Sequence, residues 1–255
     1  VLGSFETRGA IYDVENDTWT DISDLNKPQS RKDFSMVFTG EEVIIWGGEG
    51  YVEYQYGFDT TQENAILSDG GRYNPSTDQW QPMTVTSPER TKIHSTSIWT
   101  GSEMIIWGGF KPESWLITGD PFSNEGHRFN PTTFTWLPIS QDVPLSPRYF
   151  ANSIWNGEEM LIWGGNIGTA YFGDGARYDP LTDSWQLMNP EGSPAADFSG
   201  FMAWMEDEML VITYDYGGPA TQEALTGARC NPDTDLWRPM NMVGAPSKFS
   251  DRIKG

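Results

Sequence analysis

The 255-residue chain has one cysteine, two histidines and only 16 lysines plus arginines, and each shortage closes off a class of protein. A single thiol, Cys230, permits no intrachain disulfide framework and no multi-cysteine metal site, and it does not report the redox compartment. Two imidazoles, His94 and His127, leave little from which to build nucleophilic or zinc chemistry. The 16 cations stand against 36 carboxylates, a formal net charge of −20. Phosphate neutralisation needs clustered Lys and Arg, so nucleic acid is not an expected partner. The same field repels anionic membranes and suits a solvated surface or cationic partners. No apolar run reaches the length of a membrane span, so no membrane insertion is expected. With Val1 in first place and no signal-like segment, the chain reads as a processed or excised form.

What is abundant is turn and strand chemistry. Glycine (27) and proline (17) punctuate the chain, and aromatics at 14% favour pleated surfaces, so the expected class is all-β without long helices.

The chain repeats itself. Five segments share one pattern: GAIYDVENDTW ending at Trp19, GGRYNPSTDQW at Trp80, GHRFNPTTFTW at Trp136, GARYDPLTDSW at Trp185 and GARCNPDTDLW at Trp237, at intervals of 61, 56, 49 and 52 residues. Four are preceded by an apolar run and a glycine pair: EEVIIWGG (Gly47, Gly48), SEMIIWGG (Gly108, Gly109), EEMLIWGG (Gly164, Gly165) and DEMLVITYDYGG (Gly217, Gly218). Further upstream lie short runs such as HSTSIWTG and FANSIWNG, so each unit reads as four antiparallel strands, a to d. Asn-Pro or Asp-Pro followed by Thr-Asp, as in Asn74-Pro75 and Thr77-Asp78, makes a tight c–d turn. A glycine ten residues before every Trp (Gly9, Gly70, Gly126, Gly175, Gly227) implies positive φ or close backbone approach. The unbroken run Met104-Ile105-Ile106-Trp107 marks a strand buried on both faces. One such sheet cannot cover both its faces, so the units are expected to stack radially. Burying each Trp removes about 150–250 Å² from water, and Trp136→Ala or Trp185→Ala is expected to cost ~3–5 kcal/mol.

A period near 50 residues, with a double glycine after an apolar strand and a Tyr-Asp/Asn-Pro…Trp hairpin, resembles the kelch family over essentially residues 1 to 250. The resemblance implies a β-propeller of four-stranded antiparallel blades. The expected organisation is one domain, 1–255, with units near 1–22 plus 246–255, 33–83, 93–139, 150–188 and 199–240. The first of these is a composite fifth blade closed by the N- and C-termini, since the tail PSKFSDRIKG matches the start of strand a at Pro147. The alternative is a fragment of a six- or seven-bladed parent.

Antiparallel connectivity puts the b–c and d–a loops at one end of each blade and the a–b and c–d turns at the other. The b–c loops are residues 49–69, 110–125, 166–174 and 219–226, the first two unusually long. They carry Tyr51, Tyr54, Tyr56 and Phe58, then Phe110, Trp115 and Phe122, then Tyr171 and Phe172, a set suited to sugars or peptides. At the start of strand a sit Arg31, Lys92 and Arg148, with Asp197 in the fourth copy. They read either as a local anion site or as partners of carboxylates such as Asp33 and Glu89. Kelch-type adaptors bind partner peptides on this face, and the resemblance implies the same here. Expected ligand-binding residues are therefore Arg31, Lys92, Arg148, Tyr51, Tyr54, Tyr56, Trp115, Tyr171 and Phe172.

Arg72, Arg128, Arg177 and Arg229 recur in strand c, and Glu42, Glu103, Glu159 and Glu208 at the start of strand b, which argues for a shared structural bond. His94 and His127 begin strands a and c of one blade, about 9–10 Å apart at two inter-strand spacings, too far to share a metal. The family also includes sialic-acid epimerases, glutaminyl cyclases and copper radical oxidases; the oxidases need a Tyr crosslinked to Cys, whereas Cys230 occupies the repeat's aromatic slot as core filler. No cofactor is implied, although Asp69 and Asp174 offer oxygen ligands for Ca²⁺. The sequon Asn16-Asp17-Thr18 falls on an exposed c–d turn. The functional expectation is a secreted or surface-exposed module that binds a protein segment or glycan through the b–c/d–a loop end. The alternatives are a structural subunit of an extracellular assembly and an epimerase- or mutarotase-like enzyme acting on an anionic sugar.

Overall fold

Strand b is the spine of each sheet because four consecutive apolar residues have a neighbouring strand on both sides. In the computed structural model, which describes residues 9–56, 59–83, 92–112, 120–196, 200–215 and 224–243 (backbone alone for 53–62, 214–215 and 224), this run recurs in register. The strands are β1 (Ala10–Asp13), β2 (Thr18–Asp21), β3 (Arg31–Lys32), β4 (Ser35–Phe38), β5 (Val43–Trp46), β6 (Glu49–Tyr56), β7 (Asp59–Ile66), β8 (Gly70–Asn74) and β9 (Gln79–Met83). They continue as β10 (Thr96–Trp99), β11 (Met104–Trp107), β12 (Gly126–Asn130), β13 (Thr135–Pro138), β14 (Asn152–Trp155), β15 (Met160–Trp163), β16 (Gly175–Asp179), β17 (Ser184–Leu187), β18 (Phe201–Met205), β19 (Glu208–Asp215), β20 (Ala224–Asn231) and β21 (Leu236–Pro239).

Four sheets have the a-b-c-d meander that the repeat implies: β4-β5-β8-β9, β10-β11-β12-β13, β14-β15-β16-β17 and β18-β19-β20-β21. The register repeats too, with Val43 opposite Tyr73, Met104 opposite Phe129, Met160 opposite Tyr178 and Met209 opposite Cys230. β1 and β2 form a two-stranded sheet corresponding to strands c and d. The composite blade expected from residues 1–22 plus 246–255 depends on residues 1–8 and 244–255, which lie outside the described residues.

The recurrent glycine works by close approach. A Cβ on Gly70 would stand 2.1 Å from the Ile45 carbonyl oxygen, and one on Gly175 would stand 2.3 Å from that of Ile162. The positive φ falls instead on the glycine pairs, at 68° and 92° for Gly47 and Gly48 and 72° and 91° for Gly164 and Gly165. A side chain is strained in that conformation, so the pair ends strand b and turns the chain.

The chain divides into two compact units, Val1–Pro138 and Ile139–Gly255. In the first, Trp136 is 8% exposed among Val37, Ile44, Trp46 and Met83 of the neighbouring sheet, its ring 4.8 Å from that of Trp46. In the second, Trp237 meets Leu161, Trp163 and Met188 in the same way, 4.5 Å from the Trp163 ring. The same packing arises twice because the same residues recur at the same register. Trp80 is buried against Tyr73 and Ile45, with Ile11 of the two-stranded sheet and Ile22 just after it alongside. Two copies correct the expectation of uniformly buried tryptophans. Trp185 is only half-buried, and Trp19 is 59% exposed, stacked on Tyr12.

Candidate functional site

The turn end of each blade is built from one repeated set of contacts. Arg72 pairs with Glu42 at 2.6 Å, Arg128 with Glu103 at 3.8 Å, Arg177 with Glu159 at 3.6 Å and Arg229 with Glu208 at 3.3 Å. Arg72 also donates to the Pro131 carbonyl, and Arg177 to that of Pro232, tying neighbouring c–d turns within each unit. The first turn residue, Asn74, Asn130, Asp179 or Asn231, accepts backbone N–H bonds two and three positions on. Four residues after it comes a left-handed residue: Asp78, Phe134, Asp183 or Asp235, at φ between 51° and 59°. Asp78 accepts from the Tyr73 hydroxyl at 2.8 Å and from Ser23 N; Asp183 does the same with Tyr178 at 2.6 Å and Ser140 N. Burial, followed by the Asp78 bond, pushes the Tyr73 hydroxyl up to about 12. The four arginines and the first residue of four c–d turns are thus all engaged in internal contacts.

The loop end differs between blades. Beyond the glycine pair a small three-stranded ladder forms, seen as single bridges in two blades: Ile93 to Phe110 to Phe122, and Tyr149 to Asn166 to Tyr171. In the blade of β4-β5-β8-β9 the same ladder grows into the sheet β3-β6-β7, whose ribbon pairs Glu49 with Ile66 through to Tyr56 with Asp59. Residues 49–66, expected as a loop, are thus largely strand. In the fourth blade no glycine pair follows at once, and strand b runs on as β19 to Asp215.

The three strand-a cations sit at the root of these loops. Arg31, fully buried, donates to the carbonyls of Gln29, Gly47 and Asp69 and at 2.8 Å to the Asp69 carboxylate. Arg148, also fully buried, donates to the carbonyls of Ser146 and Gly164 and to both Asp174 carboxylate oxygens, with its guanidinium 3.9 Å above the Phe172 ring. Lys92 donates to the Glu125 carbonyl and lies 3.5 Å from the Glu125 carboxylate, which Lys111 also approaches. Burial lowers the Arg31 pKa and Asp69 opposes the shift, but a guanidinium stays charged. An anion site at this mouth therefore finds no support in these contacts, because a loop carboxylate meets each charge. The anticipated partners were different residues: Asp33 faces His94 at 3.5 Å, and Glu89, like Asp197, lies outside the described residues. Asp69 and Asp174, considered for Ca²⁺, are bound to the arginines. Among the described residues no group of three or more His, Cys, Asp or Glu is placed to hold a metal ion.

One signal in the sequence marks these clasps. The residue before the recurrent glycine is Asp69, Glu125 or Asp174 in the copies that carry a cation, and Thr226 in the copy that carries Asp197.

Of the aromatic candidates, Tyr51 is 46% and Tyr171 48% exposed. Phe172 is half-buried beneath Arg148, and Phe110 stacks on Phe122 at 5.8 Å. Tyr54 and Tyr56 are described in backbone only, and Trp115 and Phe58 lie outside the described residues. Cys230 is buried, which pushes its thiol up to about 12 and leaves it unreactive. His127 is buried in β12, while burial lowers the His94 pKa against the pull of Asp33.

Four-stranded meanders in register, glycine pairs that end strand b and tryptophans packed between sheets define a propeller built from repeats. The chain matches the family model described as the KLHDC2/KLHL20/DRC7 Kelch-repeats domain over residues 50–251. It belongs to the kelch-repeat family, and its fold is an all-β propeller. It is similar to Kelch domain-containing protein 3 of Homo sapiens, 28% identical over 145 residues, which is 54% of this chain and 32% of that protein. It is also similar to N-acetylneuraminate epimerase of Pasteurella multocida (strain Pm70), 24% identical over 161 residues, 57% of this chain and 42% of that protein. The chain thus spans about a third of the first relative and less than half of the second. The solved structure of YjhT superposes with a TM-score of 0.61 at 15% identity, covering 87% of this chain and 72% of that one. No helix among the described residues is long and apolar enough to cross a membrane.

Proposed function

We propose that the chain is a binding module that recognises a protein segment or a glycan through the b–c loop ends of its blades. The observation that carries this reading is the contrast between the two ends. The turn end is occupied by internal contacts, whereas the loop end presents Tyr51 and Tyr171, each nearly half exposed, on segments clasped from beneath by Arg31 and Arg148. A rigid root under an exposed aromatic is what recognition needs, since the ring then loses little freedom on binding. Many kelch domains bind proteins, and the similarity to Kelch domain-containing protein 3 supports the same role. A surface or extracellular location accords with this reading.

Enzymatic action on an anionic sugar is the second reading, favoured by the relative named N-acetylneuraminate epimerase. The pairing of Arg31, Lys92 and Arg148 with loop carboxylates weighs against it, because a substrate carboxylate would need uncommitted cations. Peptide and glycan arrays probed with the wild type, Tyr51→Ala and Tyr171→Ala are the test. Hits weakened at least about tenfold by either change support the module. Identical profiles for all three proteins remove these loops from recognition.

A further inference from the structure

The ribbon of β6 and β7 is a long departure from the repeat, and among the described residues no strand pairs with its outer side. In the sheet β3-β6-β7, β7 is the terminal strand, eight residues long and roughly 27 Å at ~3.4 Å per residue. Edge strands of that length are usually blunted by lysine, proline or a bulge, because a row of main-chain donors and acceptors otherwise accepts another strand. β7, Asp59-Thr60-Thr61-Gln62-Glu63-Asn64-Ala65-Ile66, contains neither lysine nor proline, and it pairs with β6 residue for residue with no bulge. Glu63 and Asn64 are exposed along it.

Charge selects what could be added. Residues 49–69 carry Glu49, Glu53, Asp59, Glu63 and Asp69 with no lysine or arginine. Glu49 and Asp69 are committed to Lys32 and Arg31. The two-residue period places Asp59, Thr61 and Glu63 on one face of the ribbon, opposite Tyr56, Tyr54 and Val52 in the register. A second copy of this edge would bring acid against acid, in a chain of net charge −20. A segment bearing cations at alternate positions is instead complementary in charge to this sequence.

We infer that the outer edge of β7 docks an extended peptide segment rich in lysine or arginine, which joins the ribbon as an added strand. This rests on the binding-module reading and names the partner's chemistry. Main-chain pairing supplies the affinity and the acidic composition of the ribbon supplies the choice of sequence.

The test uses fluorescein-labelled (Lys-Thr)4, (Glu-Thr)4, and (Lys-Thr)4 N-methylated throughout, which keeps the charge and removes the main-chain donors. The first is expected to bind and the second not, with the third at least about tenfold weaker than the first, the loss of more than one main-chain bond. Hydrogen exchange should show added protection in residues 59–66. Asp59→Lys/Glu63→Lys should weaken (Lys-Thr)4 at least about tenfold; if that variant does not fold, the methylated peptide and the exchange data decide alone. Equal binding of the methylated peptide, no binding of (Lys-Thr)4, or protection confined to other segments overturns the inference. Array hits erased by Tyr171→Ala but indifferent to the ribbon variant overturn the ribbon alone. Arrays blank for every loop change overturn the module reading as well.

Discussion

The two ends of a blade follow different rules. At the turn end the same bonds recur, and in one copy both members of a pair change together: Tyr73 with Asp78 and Tyr178 with Asp183 become Phe129 with Phe134, a hydroxyl–carboxylate bond replaced by an edge-on ring contact at 5.6 Å, while the fourth copy keeps Asp235 and has Cys230 in the tyrosine's place. At the loop end only the root is shared, the clasp of a strand-a cation to the carboxylate before the recurrent glycine. What grows from it in three copies is a one-residue bridge or a long ribbon, whereas the fourth, with Thr226 in place of the carboxylate, continues its strand b instead. Repetition at one end ties neighbouring c–d turns within each unit, whereas at the other each loop takes its own course.

If the inter-sheet core is what both ends stand on, its loss sets the largest effect. Trp136→Ala should cost ~3–5 kcal/mol in denaturant unfolding, since the ring is 8% exposed among Trp46, Ile44 and Met83. The half-buried Trp185 should cost less, about 2–3 kcal/mol, although its indole still donates to the Ser140 carbonyl. Equal losses for the two would erase the distinction drawn from their burial.

Next in size is the clasp. Arg148→Ala removes a fully buried guanidinium and leaves the Gly164 and Ser146 carbonyls without their donor, at about 2–4 kcal/mol. Asp174→Asn should cost less, because that carboxylate is 39% exposed and water can replace the bond. A harmless Arg148→Ala would mean that the loop end is not held from beneath, and the contrast between the ends would weaken.

Much of the fold could be read from the residues because each feature occurs four or five times. The glycine pair, the Asn-Pro turn and the strand-b run gave the sheets and their order. The loop end could not be read that way, since each loop occurs once and its conformation depends on long-range pairing. Residues 49–66 lack a clean apolar alternation, and they become strand because Arg31 and Lys32 offer a two-residue edge on which Glu49 and Gly50 start a ladder. In the fourth copy Thr213 and Tyr214 stand where the others have glycine, so strand b continues past the point where Gly47 and Gly48 turn the chain. The cations were visible and their partners were not, although the co-occurrence of Asp69, Glu125 and Asp174 with Arg31, Lys92 and Arg148 was present in the sequence.

The turn end offers a sharper and smaller test. Phe129→Tyr places a hydroxyl beside Phe134, which has no acceptor, and should destabilise by about 1–3 kcal/mol. Adding Phe134→Asp rebuilds the pair found in two neighbouring copies and should recover most of that loss, a coupling of about 1–2 kcal/mol in a double-mutant cycle. Additive effects would show that the two positions vary independently, and the turn end would lose its claim to a transferable design.

The smallest effect should come from His94, which lies at the loop end with Asp33, Lys32 and Glu49 around it. Burial holds its folded-state pKa below the ordinary 6.5, against the attraction of Asp33. The unfolded chain therefore takes up the proton first as the medium is acidified, and the imidazole's contribution, intact above 6.5, is lost as the pH falls through the folded value. Unfolding midpoints measured from pH 7.5 downward should decline less steeply for His94→Gln than for the wild type once below that point. A slope unaltered by His94→Gln would place the acid sensitivity in the carboxylates of both ends alike.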